Sequence, residues 1–242
     1  RLAAEGIETP FSRVGQAVEY GELANAQEAI DDVAREIRAT GLPTSLRPFA
    51  IGVTGAGGRV SGGALEIFDR LPSVRVRPEE LARWSGERIA VVSFGPEHLV
   101  EPIAADETYA WDDYLARPAA YRSRFGPHLG HLTALLHGIF WKEGFPRFIL
   151  RSDLAGLWRD GATPRLRVLT DVTCDLGGSN ESLVRVTDPG DPAYLYDPTT
   201  GQAIEGWTGP GPVVLPVDIF PAELPREASR HFSEVLLPLV PA

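Results

Sequence analysis

The stretch Phe49–Leu71, FAIGVTGAGGRVSGGALEIFDRL, narrows the folds open to this chain more than any other. Ala50-Ile51-Gly52-Val53 is a short apolar run suited to a buried parallel strand. Thr54-Gly55-Ala56-Gly57-Gly58 follows as a turn whose backbone stays uncovered by side chains. A helix is predicted next, because Val60, Ala64, Ile67, Phe68 and Leu71 recur at helical spacing. Strand, glycine turn and helix in that order leave unpaired N–H groups at the positive end of a helix dipole, a seat for a pyrophosphate. Gly55 and Gly57 supply the first two glycines of the dinucleotide pattern G-x-G-x-x-G. Val60 stands where the third belongs, so Gly62, Gly63 and Ala64 are expected to let helix and strand approach. The alternative is a strand-to-helix turn without a ligand.

With 242 residues there is chain enough for one large domain and its core. The net charge of -10 and pI near 5.0 argue against a nucleic-acid or anionic-membrane partner. No apolar run approaches bilayer length, and Val213–Val217 is cut by a proline. Cys174 is the only cysteine, so no internal disulfide can form, and a cytoplasmic location is the expectation. Arg1–Gly6 lacks the apolar segment of a signal peptide. The chain has no methionine and opens in what reads as the end of a helix, so an N-terminal lobe is expected to lie outside it. Lys142 is the sole lysine among 23 Lys+Arg, so a catalytic lysine is either Lys142 or absent from this chain. Self-association into a homo-oligomer is left open.

Residues 1–24 read as extended, with Thr9-Pro10-Phe11 opposing a helix. Asn25 and Glu28 form a capping box for a helix whose stripe of Ala26, Ile30, Val33 and Ile37 closes at Gly41, and this helix is expected to pack on a neighbour, the lobe outside the chain being one candidate. Ser73–Arg77 reads as the second strand. In a dinucleotide fold the end of that strand meets the adenosine ribose, where an acid favours NAD and an arginine accommodates the 2′-phosphate of NADP. Arg75 and Arg77 share one face of the strand, so NADP(H) is favoured, with NAD(H) the alternative. Arg88–Phe94 is a third strand; Pro78–Trp84 before it is a short helix. Trp111, Tyr114 and Tyr121 are expected to fix a helix and loop against the sheet. His128, His131 and His137 invite a metal, but no Cys or carboxylate completes a ligand set at that spacing and none is expected. Leu166–Asp171 is another strand, ending in a polar, glycine-rich segment where Asp171, Asp175 and Glu181 are placed to face a cationic substrate and Thr173 or Ser179 to bond a ligand. Residues 183–207 read as hairpin strands and Pro212–Asp218 as the last strand. A final helix starts at Pro225 with Ala228, Phe232, Val235, Leu236 and Leu239 on one face.

Three stretches together resemble the lysine-ketoglutarate reductases: TGAGGRVSGGALEIFDRLP (Thr54–Pro72), TDVTCDLGGSNE (Thr170–Glu181) and VDIFPAELPREASRHFSEVLLP (Val217–Pro238). This group comprises the lysine-forming saccharopine dehydrogenases and the reductase half of the aminoadipic semialdehyde synthases, in the wider alanine dehydrogenase and transhydrogenase class. The resemblance implies an α/β, Rossmann-like, doubly wound parallel sheet with flanking helices and an N-terminal substrate lobe outside the chain. Residues 1–41 would be a leading segment and linking helix, 42–220 the NAD(P)-binding domain, and 221–242 a C-terminal helix returning towards that lobe. It implies reductive condensation of lysine with 2-oxoglutarate to saccharopine, or the reverse. Gly55, Gly57, Gly58 and Val60 would line the dinucleotide phosphates; Gly58-Arg59 stands where the family commonly has Asn, and Arg59 would either touch the pyrophosphate or be merely exposed. Asp171–Asp175 would flank the nicotinamide, Asp218 would approach substrate, and the catalytic lysine and histidine of related enzymes would lie in the absent lobe. The turn is one residue longer than the usual TGxGNVS. The alternatives are a non-catalytic NAD(P)-binding module and another amino-acid dehydrogenase of the alanine dehydrogenase type.

Overall fold

The computed structural model describes residues 1–240. A short α1 (Ala17–Tyr20) leads into the long α2 (Leu23–Thr40), and β1 (Ala50–Thr54), the glycine turn and α3 (Arg59–Phe68) follow. Next come β2 (Ser73–Arg75), β3 (Ile89–Phe94), α4 (Pro96–Leu99), β4 (Val100–Pro102), α5 (Trp111–Ala116), β5 (Tyr121–Ser123) and α6 (Gly126–Leu129). The remainder is β6 (Ala134–His137), α7 (Arg151–Leu157), β7 (Val168–Asp171), β8 (Tyr194–Asp197), β9 (Gln202–Ile204), β10 (Val213–Leu215) and α8 (Pro225–Leu236).

One sheet of eight strands organises the molecule in the order β2-β3-β1-β6-β7-β10-β8-β9. Pairing is parallel from β2 through β10, and the β8–β9 hairpin closes one edge antiparallel, as the turn-rich sequence there predicts. β1 is buried at every position, which is why AIGVT reads as a continuous apolar run instead of alternating. Side-chain alternation divides the core in two. Ile51, Val53, Ile89 and Val91 meet α2 and α3 on one face; Ala50, Ala90, Val92 and Phe94 meet the layer built from residues 96–158 on the other.

Two expectations for the N-terminal part are corrected. The first turns are short helices, Ala3–Glu5, Pro10–Arg13 and α1, where extended chain was expected. α2 starts at Leu23, so Asn25 lies inside it and its amide bonds back to the Tyr20 carbonyl at 3.0 Å. The orphan donors of these two helices are met from the far end of the chain: Glu227 accepts from Leu23 N–H and Glu223 from Val18 N–H, each at 2.9 Å. A carboxylate at a helix N-terminus is favoured by the same dipole that a local cap would satisfy. Nor does α2 need a second lobe for its stripe, since Val33, Ala34 and Ile37 are buried against β1, β3 and α3. α8 does begin at Pro225, and its apolar stripe of Phe232, Val235 and Leu236 stands exposed.

The central strands carry the stability of this arrangement. Leu135 on β6 is 1% exposed, in the layer shared with Phe94, Leu132 and Leu169. Leu135→Ala is expected to lower the unfolding free energy by about 2–5 kcal/mol through lost burial and a residual cavity, measured as a shifted midpoint in urea denaturation.

Candidate functional site

The site begins at the C-terminal ends of β3, β1 and β6. The chain leaves β1 for β2, returns to β3 and then crosses to β6, so its direction of travel reverses between β1 and β6. A parallel sheet opens a crevice at such a reversal. The glycine turn fills one side of it. Gly55 and Gly57 adopt φ of +81° and +80°, values an L side chain resists. The N–H groups of Gly55 and Ala56 both bond to Phe94 O, at 3.0 and 3.1 Å, which ties the turn to the end of β3. Ser61, buried in α3, holds the carbonyls of Gly55 and Gly58 at 2.7 and 2.9 Å. Because Gly58 is the N-cap, no side chain satisfies the first donors of α3, and an anion is the natural partner for such a terminus.

The close approach expected at Gly62 and Gly63 is not made there: a Cβ on either would meet nothing within 4 Å. It is made by Gly138, at the end of β6, where a Cβ would stand 2.7 Å from Val60 Cγ1. Val60 thus occupies the third-glycine position because its partner across the crevice is itself a glycine. Gly55 has the matching restriction, since a Cβ would lie 3.0 Å from Gly138 O.

A cleft of about 510 Å³ rises over the turn, with Gly55, Gly57, Gly58, Arg59 and Val60 on one wall. Trp111, Leu115 and Phe140 form an apolar rim, and Tyr114, Phe145 and Phe148 the floor. The sequence reading assigned Trp111 only to packing and missed the role of Phe140, which is 83% exposed on the rim. Its signal was position alone, directly after the strand facing the glycine turn. A second cleft of about 470 Å³ adjoins the first, with Cys174, Asp175 and Asp218 among its walls. Trp141 and Lys142 line both clefts. The Trp141 indole N–H is held by the carbonyls of Phe145 and Pro146 at 3.1 and 3.0 Å, and the Lys142 ammonium sits 5.0 Å above the Phe145 ring, so this partition is fixed.

Behind the partition lies a polar junction that the sequence did not reveal. His137 is fully buried, with Nδ1 3.0 Å from Thr54 Oγ1 and Nε2 2.7 Å from Ser179 Oγ. Burial holds its pKa below the ordinary value, outweighing the pull of Asp171 and Asp175, so the ring is neutral. Asp171 is also fully buried and spends both carboxylate oxygens internally, on Thr173 N–H at 2.9 Å, Thr173 Oγ1 at 2.7 Å and Asn180 Nδ2 at 2.8 Å. It lines neither cleft. Glu181 is likewise engaged, by Arg147 and the Arg151 N–H. Asp175 and Asp218 are therefore the carboxylates brought together at the second cleft. Cys174 between them has its thiol pushed up to about 11, by burial first and then by Asp171, Asp218 and Asp175, and stays protonated.

Arg77 stands apart from both clefts. The strand beside β1 is β3, not β2, so the position that meets a ribose in a dinucleotide fold falls at Gly95–His98. Arg77 follows the outer strand, exposed and paired with Glu80 at 2.7 Å, while Arg75 pairs with Asp69 at 2.7 Å. Nor do the histidines gather: His128 packs on the rings of Phe94 and Phe125, and among the described residues no three metal-ligating side chains come together.

A glycine strand-turn-helix unit at the reversal point of a mostly parallel sheet defines the class of α/β domains used to hold extended phosphate-containing ligands. No family model matches the chain. Over 258 residues it is 32% identical to the mitochondrial alpha-aminoadipic semialdehyde synthase of Bos taurus, a match that takes in 99% of this chain and 28% of that protein. The alpha-aminoadipic semialdehyde synthase of Arabidopsis thaliana is 32% identical over 248 residues, 96% of this chain and 23% of that protein. A saccharopine dehydrogenase (NAD(+), L-lysine-forming) of Schizosaccharomyces pombe shares 36% over 80 residues, 31% of this chain and 19% of that protein. A solved L-alanine dehydrogenase superposes with a TM-score of 0.45 at 15% identity, covering 95% of this chain and 53% of that one. This chain is similar to the aminoadipic semialdehyde synthases over nearly all of its own length, and it spans less than a third of the length of the synthases it matches.

The relatives correct one expectation. Those of Bos taurus, Mus musculus and Rattus norvegicus are named as mitochondrial, against the cytoplasmic reading. A lone cysteine bears on disulfides and carries no address. No helix among the described residues is long and apolar enough to cross a membrane.

Two predictions follow from the packing of this site. Gly55→Ala should cost about 1–2 kcal/mol of left-handed strain and more from the clash with Gly138 O, whereas Gly57→Ala, with open space around it, should cost the strain alone; thermal denaturation of the pair separates the terms. Because His137 is held neutral, the unfolded chain takes up a proton the folded chain refuses. Stability should therefore fall as pH drops below the ordinary histidine value of 6.5, by up to about 1.4 kcal/mol per pH unit. His137→Gln should flatten that dependence in denaturation series between pH 7 and pH 5.

Proposed function

We propose that this chain is the cofactor-binding part of an oxidoreductase of lysine metabolism, acting on the C–N bond of saccharopine. The observation that carries the reading is the joining of two clefts: the phosphate-type seat over the glycine turn and the charged cleft beside it share the Trp141–Lys142 wall. The likeness to part of the synthases, which takes in nearly all of this chain, supports the substrate assignment.

The residues at the turn fit a nicotinamide dinucleotide. Gly55, Gly57 and Gly58 present backbone to the pyrophosphate, the uncapped start of α3 supplies donors at Arg59 and Val60, and the Arg59 guanidinium adds charge. When bound, the cofactor supplies or accepts the hydride at the carbon that becomes, or was, the imine between lysine and 2-oxoglutarate. The apolar rim of Trp111, Leu115 and Phe140 excludes water from that cleft, which protects an imine from hydrolysis. Asp171 acts at one remove, fixing the Thr173–Asn180 loop that presents Asp175 beside Asp218.

NADP(H) is the proposed cofactor on residue order, since Arg77 follows the second strand in sequence; it lies outside both clefts and is paired with Glu80, so meeting a 2′-phosphate requires that pair to open. A second reading, NAD(H), has its own observation, since Glu97 follows β3 at the ribose position, where an acid bonds the 2′-hydroxyl. Titration of the chain with NADPH and with NADH, followed by quenching of tryptophan fluorescence, decides between them. NADPH should bind more tightly, and Arg77→Asp should erase that preference. A preference for NADH that is lost in Glu97→Gln establishes the second reading, and no binding of either nucleotide refutes the assignment of the turn.

A further inference from the structure

Many charged side chains of this protein are spent on one another; Arg75–Asp69, Arg77–Glu80, Arg117–Asp113 and Arg147–Glu181 are examples. Three at the second cleft are not. Among the described residues Lys142, Asp175 and Asp218 join no ion pair, and neither the Lys142 ammonium nor either carboxylate takes part in a side-chain hydrogen bond. All three nevertheless line one cavity of about 470 Å³. The ammonium lies over the face of Phe145, an arrangement that uses none of its hydrogen-bond donors. The two carboxylates reach this cavity from separate segments, the loop after β7 and the segment after β10, with Cys174 on the same wall.

One unpaired cation and two unpaired anions around one cavity are complementary to a ligand carrying the opposite set. We infer that Lys142 anchors a carboxylate of the 2-oxo acid and that Asp175 and Asp218 together receive the ammonium of the amino acid joined to it. The inference rests on the proposed function and adds its polarity. Lys142 also lines the glycine-turn cleft, so the carboxylate it holds belongs to the half of the substrate whose carbon exchanges the hydride. The ammonium is then directed outward, away from the turn. Lys142 is a binding residue in this scheme.

Calorimetric titration of the chain tests this with four probes, NADPH, NADH, 2-oxoglutarate and lysine, the two acids being titrated with and without nucleotide. Lys142→Gln should weaken 2-oxoglutarate about tenfold or more, the loss of a charge-assisted bond, while leaving lysine as in the unmodified chain. Lys142→Arg should recover most of that affinity, which a merely structural role would not do. Asp175→Asn with Asp218→Asn should weaken lysine and spare 2-oxoglutarate. Equal affinity of the Lys142→Gln chain for 2-oxoglutarate, or equal losses for both acids, overturns the inference. So does an unmodified chain that binds nucleotide but neither acid. A chain that binds the acids selectively and no nucleotide upholds this inference and refutes only the cofactor assignment.

Discussion

A neutral imidazole with no access to water fixes the geometry of everything around it. His137 ends β6, Thr54 ends β1, and Ser179 belongs to the loop that follows β7; the ring bonds to both hydroxyls, so three segments far apart in sequence meet at one buried point. A buried polar group that loses its partner costs about 1–3 kcal/mol, which makes the arrangement close to all-or-none. Thr54 also accepts the N–H of Gly138 at 3.1 Å. The same hydroxyl therefore sets the distance between the glycine turn and the strand opposite it.

From that point the two clefts acquire their relation. The turn can remain bare because Val60 rests on Gly138, Ser61 ties down two carbonyls, and Phe94 O receives two N–H groups. Those bonds rigidify the backbone without filling the space above it. On the other side, the internal bonds of Asp171 hold the loop so that Asp175 comes to the cavity wall while Asp171 does not. Two acids four residues apart thus take different parts. One is structural because it is buried and fully bonded. The other is open to a ligand because it is neither.

Much of the scaffold was legible from residue order. The apolar runs at Ala50–Val53, Arg88–Phe94 and Leu166–Asp171 fold as parallel strands, and Pro225 opens the last helix as its position suggests. What misled was adjacency. Asn25 looked like a cap, yet Glu223 and Glu227 supply the bonds from some two hundred residues away. Gly62 and Gly63 looked like the point of close approach, yet that contact is made by Gly138. Arg77 looked like the ribose residue because Ser73–Arg75 is second in sequence, although it is third in space counted from β1.

By itself the sequence determined a parallel α/β sheet with a bare glycine turn after its first strand, because apolar periodicity and glycine content are local properties that act wherever the chain goes. It also carried the likeness to the lysine-ketoglutarate reductases. Tertiary structure decided which strand lies beside β1, that His137 sits buried between two hydroxyls, and that Lys142 shares a cavity with Asp175 and Asp218. Those depend on which segments are brought together. No spacing along the chain encodes that.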